Sequence, residues 1–317
     1  MIGPRLALTA LLLTAAAQPQ AQAQAQPAAS DRATAFALQE VAPGVFVHFG
    51  QPLPLDAPGH DDIANIGFIV GRKCVAVIDT GGSTRIGRAL RMAIKARTAQ
   101  PICYVVNTHV HVDHVLGNFA FRSDHPTFVG HAALPHALSQ SRAYFMTQYA
   151  SDLDQPAAAE QIIGPDQLVR DTLELDLGGR QLSLRAWPVA HTDCDLTVID
   201  TKSSTLWAGD LLFRERLPAL DGDAGGWLAV IEDLKRIRVA RVIPGHGPLS
   251  TELAASLLPE SRYLRALLDG VHAAIDAGES IQDAIEHVAA SERPQWLLWD
   301  STHPRNVVRL YQQLEWQ

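Results

Sequence analysis

Apolar positions in this chain gather into short unbroken runs punctuated by glycine. VFVHF (45–49), IGFIV (66–70) and CVAVID (74–79) are such runs, the last closing on the turn TGGS. Runs of this length predict strands covered on both faces. TRIGRALRMAIKART (84–98) instead spaces Ile86, Leu90, Ala93 and Ile94 as one face of a helix. ICYVVNT (102–108) predicts the next strand, FVG (128–130) a shorter one, and residues 131–149 a helix. A second series follows. DTLELDL and QLSLRAWPV alternate on either side of Gly178-Gly179 and predict a β-hairpin. DLTVID and TLWAGD predict a further strand pair, residues 226–237 a helix, ARVIP a strand, GHGP a loop, and residues 250–316 a helical tail with short breaks. Strands and helices recurring twice in this order favour an α/β fold, sheets packed together with helices outside. No short repeat of solenoid type is present.

Composition fits that picture. The chain has 317 residues, 47% hydrophobic and 19% charged, enough for one large domain or two small ones. At the start, Arg5 precedes an apolar stretch from Leu6 to Ala17 and then Ala-x-Ala sequences, the layout of a secretory signal peptide. The stretch is too short for a membrane span of about 20 residues. Residues 1–25 are therefore expected to direct export to a periplasm, with 26–35 a low-complexity linker and no transmembrane segment after cleavage. The formal charge is −8, near −9 once Arg5 is removed, which argues against a nucleic-acid partner. Three cysteines, Cys74, Cys103 and Cys194, do not describe a disulfide framework, and buried free thiols are expected.

The chemistry lies where the predicted strands end. NTHVHVDHVLGN (107–118) sets His109, His111 and Asp113 two apart, so an extended backbone would send all three side chains to one side, with His114 entering a helix. His191 in VAHTDCD, Asp210 in WAGDLLF and His246 in PGHGP each follow an apolar run. Five imidazoles and two carboxylates gathered there can hold two divalent metals, their nitrogen and oxygen donors suiting zinc. Without metals, such a cluster would be costly to bury. Two zinc ions, two carboxylates and a hydroxide would leave one net positive charge to hold an anionic or carbonyl-containing small-molecule substrate.

THVHVDH, AHTDCD, the pair at 209–210 and GHG at 245–247, in this order, resemble the signature of the metallo-β-lactamase superfamily over about residues 40–250. The resemblance implies an αββα sandwich over 36–250 and a C-terminal helical extension over 251–317. It assigns His109, His111 and His191 to a first metal, Asp113, His114 and His246 to a second, and Asp210 to the bridge between them. Hydrolysis by a hydroxide at two zinc ions follows, with Asp113 as the catalytic residue that orients the nucleophile and passes on its proton. Iron and manganese stay open, since members of this fold differ in metal. Asp79 is the first candidate to orient an imidazole from outside, followed by Thr108, Thr192 and Asp195. His60, Arg214 and Trp227 are expected on the substrate wall.

DIANIGFIVG, CVAVIDTGGS, DLLF and HPRNVV…LEW resemble a narrower group, the exported quinoprotein relay system zinc metallohydrolases. That likeness implies a functional link to a quinoprotein dehydrogenase in pyrroloquinoline quinone-dependent alcohol oxidation. An ester, thioester, lactone or similar bond is the expected target. Asp210 weighs against a true β-lactamase, which usually lacks it, and His111 against the flavodiiron proteins, which carry glutamate there. Hydroxyacylglutathione hydrolases share the ligand types, but the tail shows no clear basic cluster for a glutathione carboxylate. A periplasmic protein that binds or delivers a quinone cofactor is the alternative from another class.

Overall fold

In the computed structural model, residues 1–3 and 36–315 are described. The expected signal peptide and linker therefore lie almost wholly outside the described residues. Two sheets form the centre of the Phe36–Gln317 unit. The first runs β1 (Gln39–Ala42), β2 (Val45–His48), β3 (Ile66–Val70), β4 (Val75–Ile78), β5 (Ile102–Val106), β6 (Thr127–His131) and β7 (Gln167–Val169) in simple order. Its first four strands are antiparallel and the rest parallel, because α1 (Thr84–Lys95) and later helical segments make the crossovers. The second sheet is ordered β12 (Arg241–His246), β11 (Thr205–Phe213), β10 (Leu196–Asp200), β9 (Gln181–Ala186), β8 (Thr172–Asp176).

Alternation along the strands decides which layer each side chain joins. Ala76 and Ile78 point between the sheets to meet Leu184, Val198, Trp207 and Ile243, while Val75 and Val77 point outward onto Ile86, Leu90 and Ile94 of α1. Leu206 and Ala208 of β11 likewise face outward onto α4 (Ala224–Leu234) and α5 (Leu253–Asp276). Strands so covered need unbroken apolar runs, which is why no polar alternation marks them. The result is the expected αββα sandwich. Cys74, Cys103 and Cys194 are free, though Cys103 is half-buried rather than buried.

The tail forms α5, α6 (Ile281–His287) and α7 (Trp299–Leu314), whose Leu257, Leu264, Leu267, Val307 and Leu310 share the core of the second sheet's outer face. Inside this layer Asn306 donates to Tyr263, and Tyr263 in turn faces Nδ1 of His303, which stacks on Trp299. Burial pushes the His303 imidazole down to about 4, so it is neutral in the fold and binds its proton only on unfolding. The fold therefore carries no penalty from this group above pH 6.5 and loses stability as pH falls toward 4, by roughly 3 kcal/mol in all. Urea unfolding of His303→Asn at pH 7 and pH 4.5 should show a smaller acid loss than the original protein. An equal loss in both would remove this residue from the account.

Candidate metal centre

The seven residues picked out by spacing converge, but not by the geometry that the spacing implied. β5 stops at Val106, and His109 and His111 lie in the loop beyond it. Asp113 is not on extended backbone with them: it shares the short helix α2 (Val112–Val115) with His114. Helical turn replaces strand alternation there, and this separates Asp113 from the side of His111. Nor does every distal ligand follow a strand directly. His191 sits in the loop between β9 and β10, Asp210 lies within β11, and His246 is the final residue of β12. β11 passes through the site with Gly209 at a left-handed φ of 53°, paired with Pro244 while the register with β12 shifts on either side of it.

Two donor sets result, His109, His111, His191 and Asp210 on one side and Asp113, His114 and His246 on the other, each with its donor atoms within 4.8 Å of one another. Asp210 reaches both. Its Oδ2 is 3.4 Å from His191 Nε2 and 3.2 Å from His246 Nε2, and its Oδ1 is 3.2 Å from His114 Nε2. Asp113 Oδ2 lies 3.4 Å from His246 Nε2 and 3.6 Å from His114 Nε2. A side chain at Gly245 would place its Cβ 1.8 Å from Asp210 Oδ1, which explains the glycine before His246.

What lies outside the imidazoles fixes their tautomers. His114 Nδ1 meets Asp79 Oδ2 at 2.8 Å, His191 Nδ1 the Ala219 carbonyl at 2.7 Å, His246 Nδ1 the Ile63 carbonyl at 2.8 Å, and His111 Nε2 Asp221 Oδ2 at 2.6 Å. His109 Nδ1 faces Thr108 Oγ1 at 3.0 Å, and that hydroxyl spends its own proton on Asp79 Oδ2. Each of these partners can accept, so in the neutral rings the outer nitrogen carries the hydrogen and the inner one presents a lone pair, with Arg216 Nη1 as a second neighbour 3.1 Å from His246 Nδ1. Inside, His111 Nδ1 is then 3.1 Å from His109 Nε2 and 3.0 Å from His191 Nε2, lone pair against lone pair. His114 Nε2 and Asp210 Oδ1 are buried with no hydrogen-bond partner among the described residues. A set of inward lone pairs and orphaned acceptors is satisfied by cations, and the residues present fit a pair of divalent metals.

Protons compete with cations at part of the site. Burial opposes charge on His111 and His114, yet Asp221 raises the first above the ordinary imidazole range, and Asp210, Asp113 and Asp79 raise the second well above it. The other two shifted rings go down. Burial, reinforced by the charge of His114, holds His109 well below the ordinary imidazole range, and burial, helped by His111 against the pull of Asp210, brings His191 down to about 4. Both stay neutral and able to coordinate. Burial opposes ionisation of Asp210, but His246 and His114 outweigh it and hold the carboxyl far below its usual range.

Asp79 and Thr108 both touch imidazoles from outside. Asp79 adopts φ 54°, uncommon for a residue with a side chain, and in that pose its carboxylate takes the Thr108 amide, the Thr108 hydroxyl and His114. Asp79→Ala should weaken metal binding about 10- to 100-fold, read by competition with a chromogenic chelator; unchanged affinity would deny it that part. Thr192 and Asp195 touch each other, not an imidazole: Asp195 accepts from the Thr192 amide and hydroxyl and so shapes the turn after His191. On the substrate wall, Trp227 is a correction. It is fully buried, its ring 5.1 Å from that of His191, and supports the ligand from behind. Arg214 donates to the Pro248 and Leu249 carbonyls and borders a cavity of about 440 Å³ beside His246. His60, paired with Asp152, borders a separate pocket of about 470 Å³.

Asp221 is the functional residue that spacing missed. It stands alone in PALDG with no histidine near it, and only the loop after β11 brings it to His111. α7 holds that loop, through Asn306 on Pro218 and Leu220, Arg309 on the Asp221 carbonyl and Gln313 on Gly222. The tail also brings one basic residue near the site, Arg305 of α7, which borders the pocket with His60.

Residues 60–246 match the model of the metallo-beta-lactamase superfamily, more than half of the chain. No curated protein matches the sequence. Among solved structures, the stereoselective inverting sec-alkylsulfatase from a Pseudomonas species is similar at 18% identity and a TM-score of 0.67, over 87% of this chain and 50% of its own. This chain thus spans about half the length of that relative. A metallo-beta-lactamase family protein from Thermus thermophilus aligns over 87% of this chain and 94% of its own (17% identity, TM-score 0.62), and a metallo-beta-lactamase from Pontibacter korlensis over 71% and 98% (19%, 0.58). At these identities the likeness concerns the fold.

Proposed function

This chain belongs to the metallo-beta-lactamase superfamily, and on that premise we propose that it is a dinuclear zinc metallohydrolase acting on an ester, thioester, lactone or similar bond of a small molecule. The observation that carries the reading is the set of five imidazoles whose outer nitrogens all meet acceptors, leaving five lone pairs turned inward around Asp210. Two zinc ions held by His109, His111 and His191 and by Asp113, His114 and His246, with Asp210 between, would supply Lewis acidity and a hydroxide near neutral pH. The chain's own work is positional. Asp221, Ala219, Asp79, Thr108 and Ile63 keep each ring in one tautomer and orientation, so no reorganisation is needed during reaction.

Asp113 is the residue placed to handle a proton. It is 5% exposed, and although burial opposes its ionisation, His114 and His246 keep it charged. A carboxylate in that state can accept a proton from the attacking water and return it to a leaving group. Export to the periplasm and a link to pyrroloquinoline quinone-dependent alcohol oxidation are supported by the sequence likeness to the quinoprotein-associated group. The fold shared with an alkylsulfatase adds sulfate esters to the bonds worth offering. Elemental analysis and a hydrolysis screen on one preparation test the reading: close to two metals per chain with turnover of at least one ester class is expected. A fully loaded protein that is inert across the panel yet binds the quinone tightly would replace the hydrolase by the binding protein.

A further inference from the structure

Beside the second donor set lies the pocket of about 470 Å³ that His60 borders, closed by the 54–60 loop, α3 (Leu134–Gln148) with Tyr149, and α7. Arg216 forms its inner end. This guanidinium is 8% exposed, its Nε has no hydrogen-bond partner, and it pairs with no carboxylate among the described residues. Its Nη1 is 3.1 Å from His246 Nδ1. That nitrogen also meets the Ile63 carbonyl at 2.8 Å, and when it gives its hydrogen there it offers Arg216 no lone pair. Asp113 and Asp210 act on Arg216 through charge alone, with no hydrogen bond or salt bridge to either, so the buried guanidinium keeps donors free for an anion. Arg305 reaches the same pocket from α7, is exposed, and has no carboxylate partner among the described residues either. Asp56, exposed on the loop, is the one carboxylate of the lining, against two guanidiniums. Leu55, Tyr144 and Tyr149 supply apolar and aromatic wall between them.

We propose that Arg216 and Arg305 clamp the oxyanion of a small organic acid, so that the hydrolysed molecule carries a carboxylate, or an anion of like shape, at the end away from the bond that is cut. This rests on the hydrolase reading and narrows its substrate to anionic esters with a compact apolar or aromatic body. The geometry suits it. Arg216 links the pocket to the outer nitrogen of His246. The charges of Asp113 and Asp210 reach Arg216, and that of Asp113 reaches Tyr149 on the wall, so the pocket adjoins the donor sets. Guanidinium forks match carboxylate in plane and charge, and two of them at one wall select an anion over a neutral isostere.

Two measurements on Arg305→Gln, a surface change that leaves the core intact, test the clamp. In metal-loaded protein, calorimetric titration with benzoate should show binding that weakens about tenfold or more in Arg305→Gln, with benzamide unaffected by the substitution. In loaded protein, the ratio of kcat/KM for mono-4-nitrophenyl succinate to that for 4-nitrophenyl acetate should fall by a similar factor, and Arg216→Lys should lower it as well. Benzoate binding that is absent, or equal in both proteins, overturns the clamp. If the loaded protein is inert on these esters and across the wider panel, the hydrolase reading fails, while the benzoate titration still decides whether the arginines hold an anion.

Discussion

Asp113→Ala is expected to lower the hydrolytic rate of the metal-loaded protein about 10²- to 10⁴-fold, the range for loss of a positioned proton-transfer group. Three placements make the effect large. Asp113 Oδ2 stands 3.4 Å from His246 Nε2 and 3.6 Å from His114 Nε2, so it belongs to a donor set. It stays ionised under the pull of those two histidines, despite burial. It also senses the pocket, since its charge reaches Tyr149 on the wall. Asp113→Asn separates the two parts it plays: amide oxygen can still coordinate but cannot carry a proton. Metal content near two per chain with a collapsed rate would assign the loss to proton handling, and content near one would assign it to coordination. A rate within a few-fold of the original in Asp113→Ala would sink the assignment.

Stripping the metals is expected to cost the fold heavily as well. Lone pairs of His109, His111 and His191 meet at 3.0–3.1 Å, and His114 Nε2 and Asp210 Oδ1 are buried without partners. Cations bound there favour the folded chain by about 4 kcal/mol per site at a thousandfold excess over Kd. At about 2–4 °C per kcal/mol for a domain of this size, chelation should lower the melting temperature by on the order of 10 °C or more, and added zinc should restore it. The shift should shrink as pH falls through the imidazole range, because protons then compete for the same nitrogens. A melting curve indifferent to chelator at pH 7.5 would contradict the metal centre, whatever the activity.

Much of this was legible along the chain. The run IGFIV is β3 to the residue, and CVAVID and ICYVV hold β4 and β5, because a strand covered on both faces must be apolar throughout. β1 and β7 were not anticipated: QEVA and QLV are short edge strands, partly exposed, whose pairing rather than composition makes them strands. Within the site, His109, His111, His114, His191, Asp210 and His246 could be named from residue type and order. The extended reading of Asp113 failed because the chain turns helical at Val112, and no apolar periodicity shows in a four-residue helix.

By itself, then, the sequence determined the donor types and the layered sandwich, since both follow from local patterns: a dense HxHxDH stretch and apolar runs whose lengths admit few alternatives. Tertiary structure alone decided how the donors are aimed and what they face. The acceptors that set the tautomers include two backbone carbonyls, Ile63 and Ala219, which no side-chain pattern can announce. Asp221 comes to His111 from 110 residues away, and Arg216 and Arg305 share a pocket because α7 folds back over the sheet. Orientation and selectivity are properties of contacts between distant segments, and such contacts exist only once the two sheets and the tail have packed.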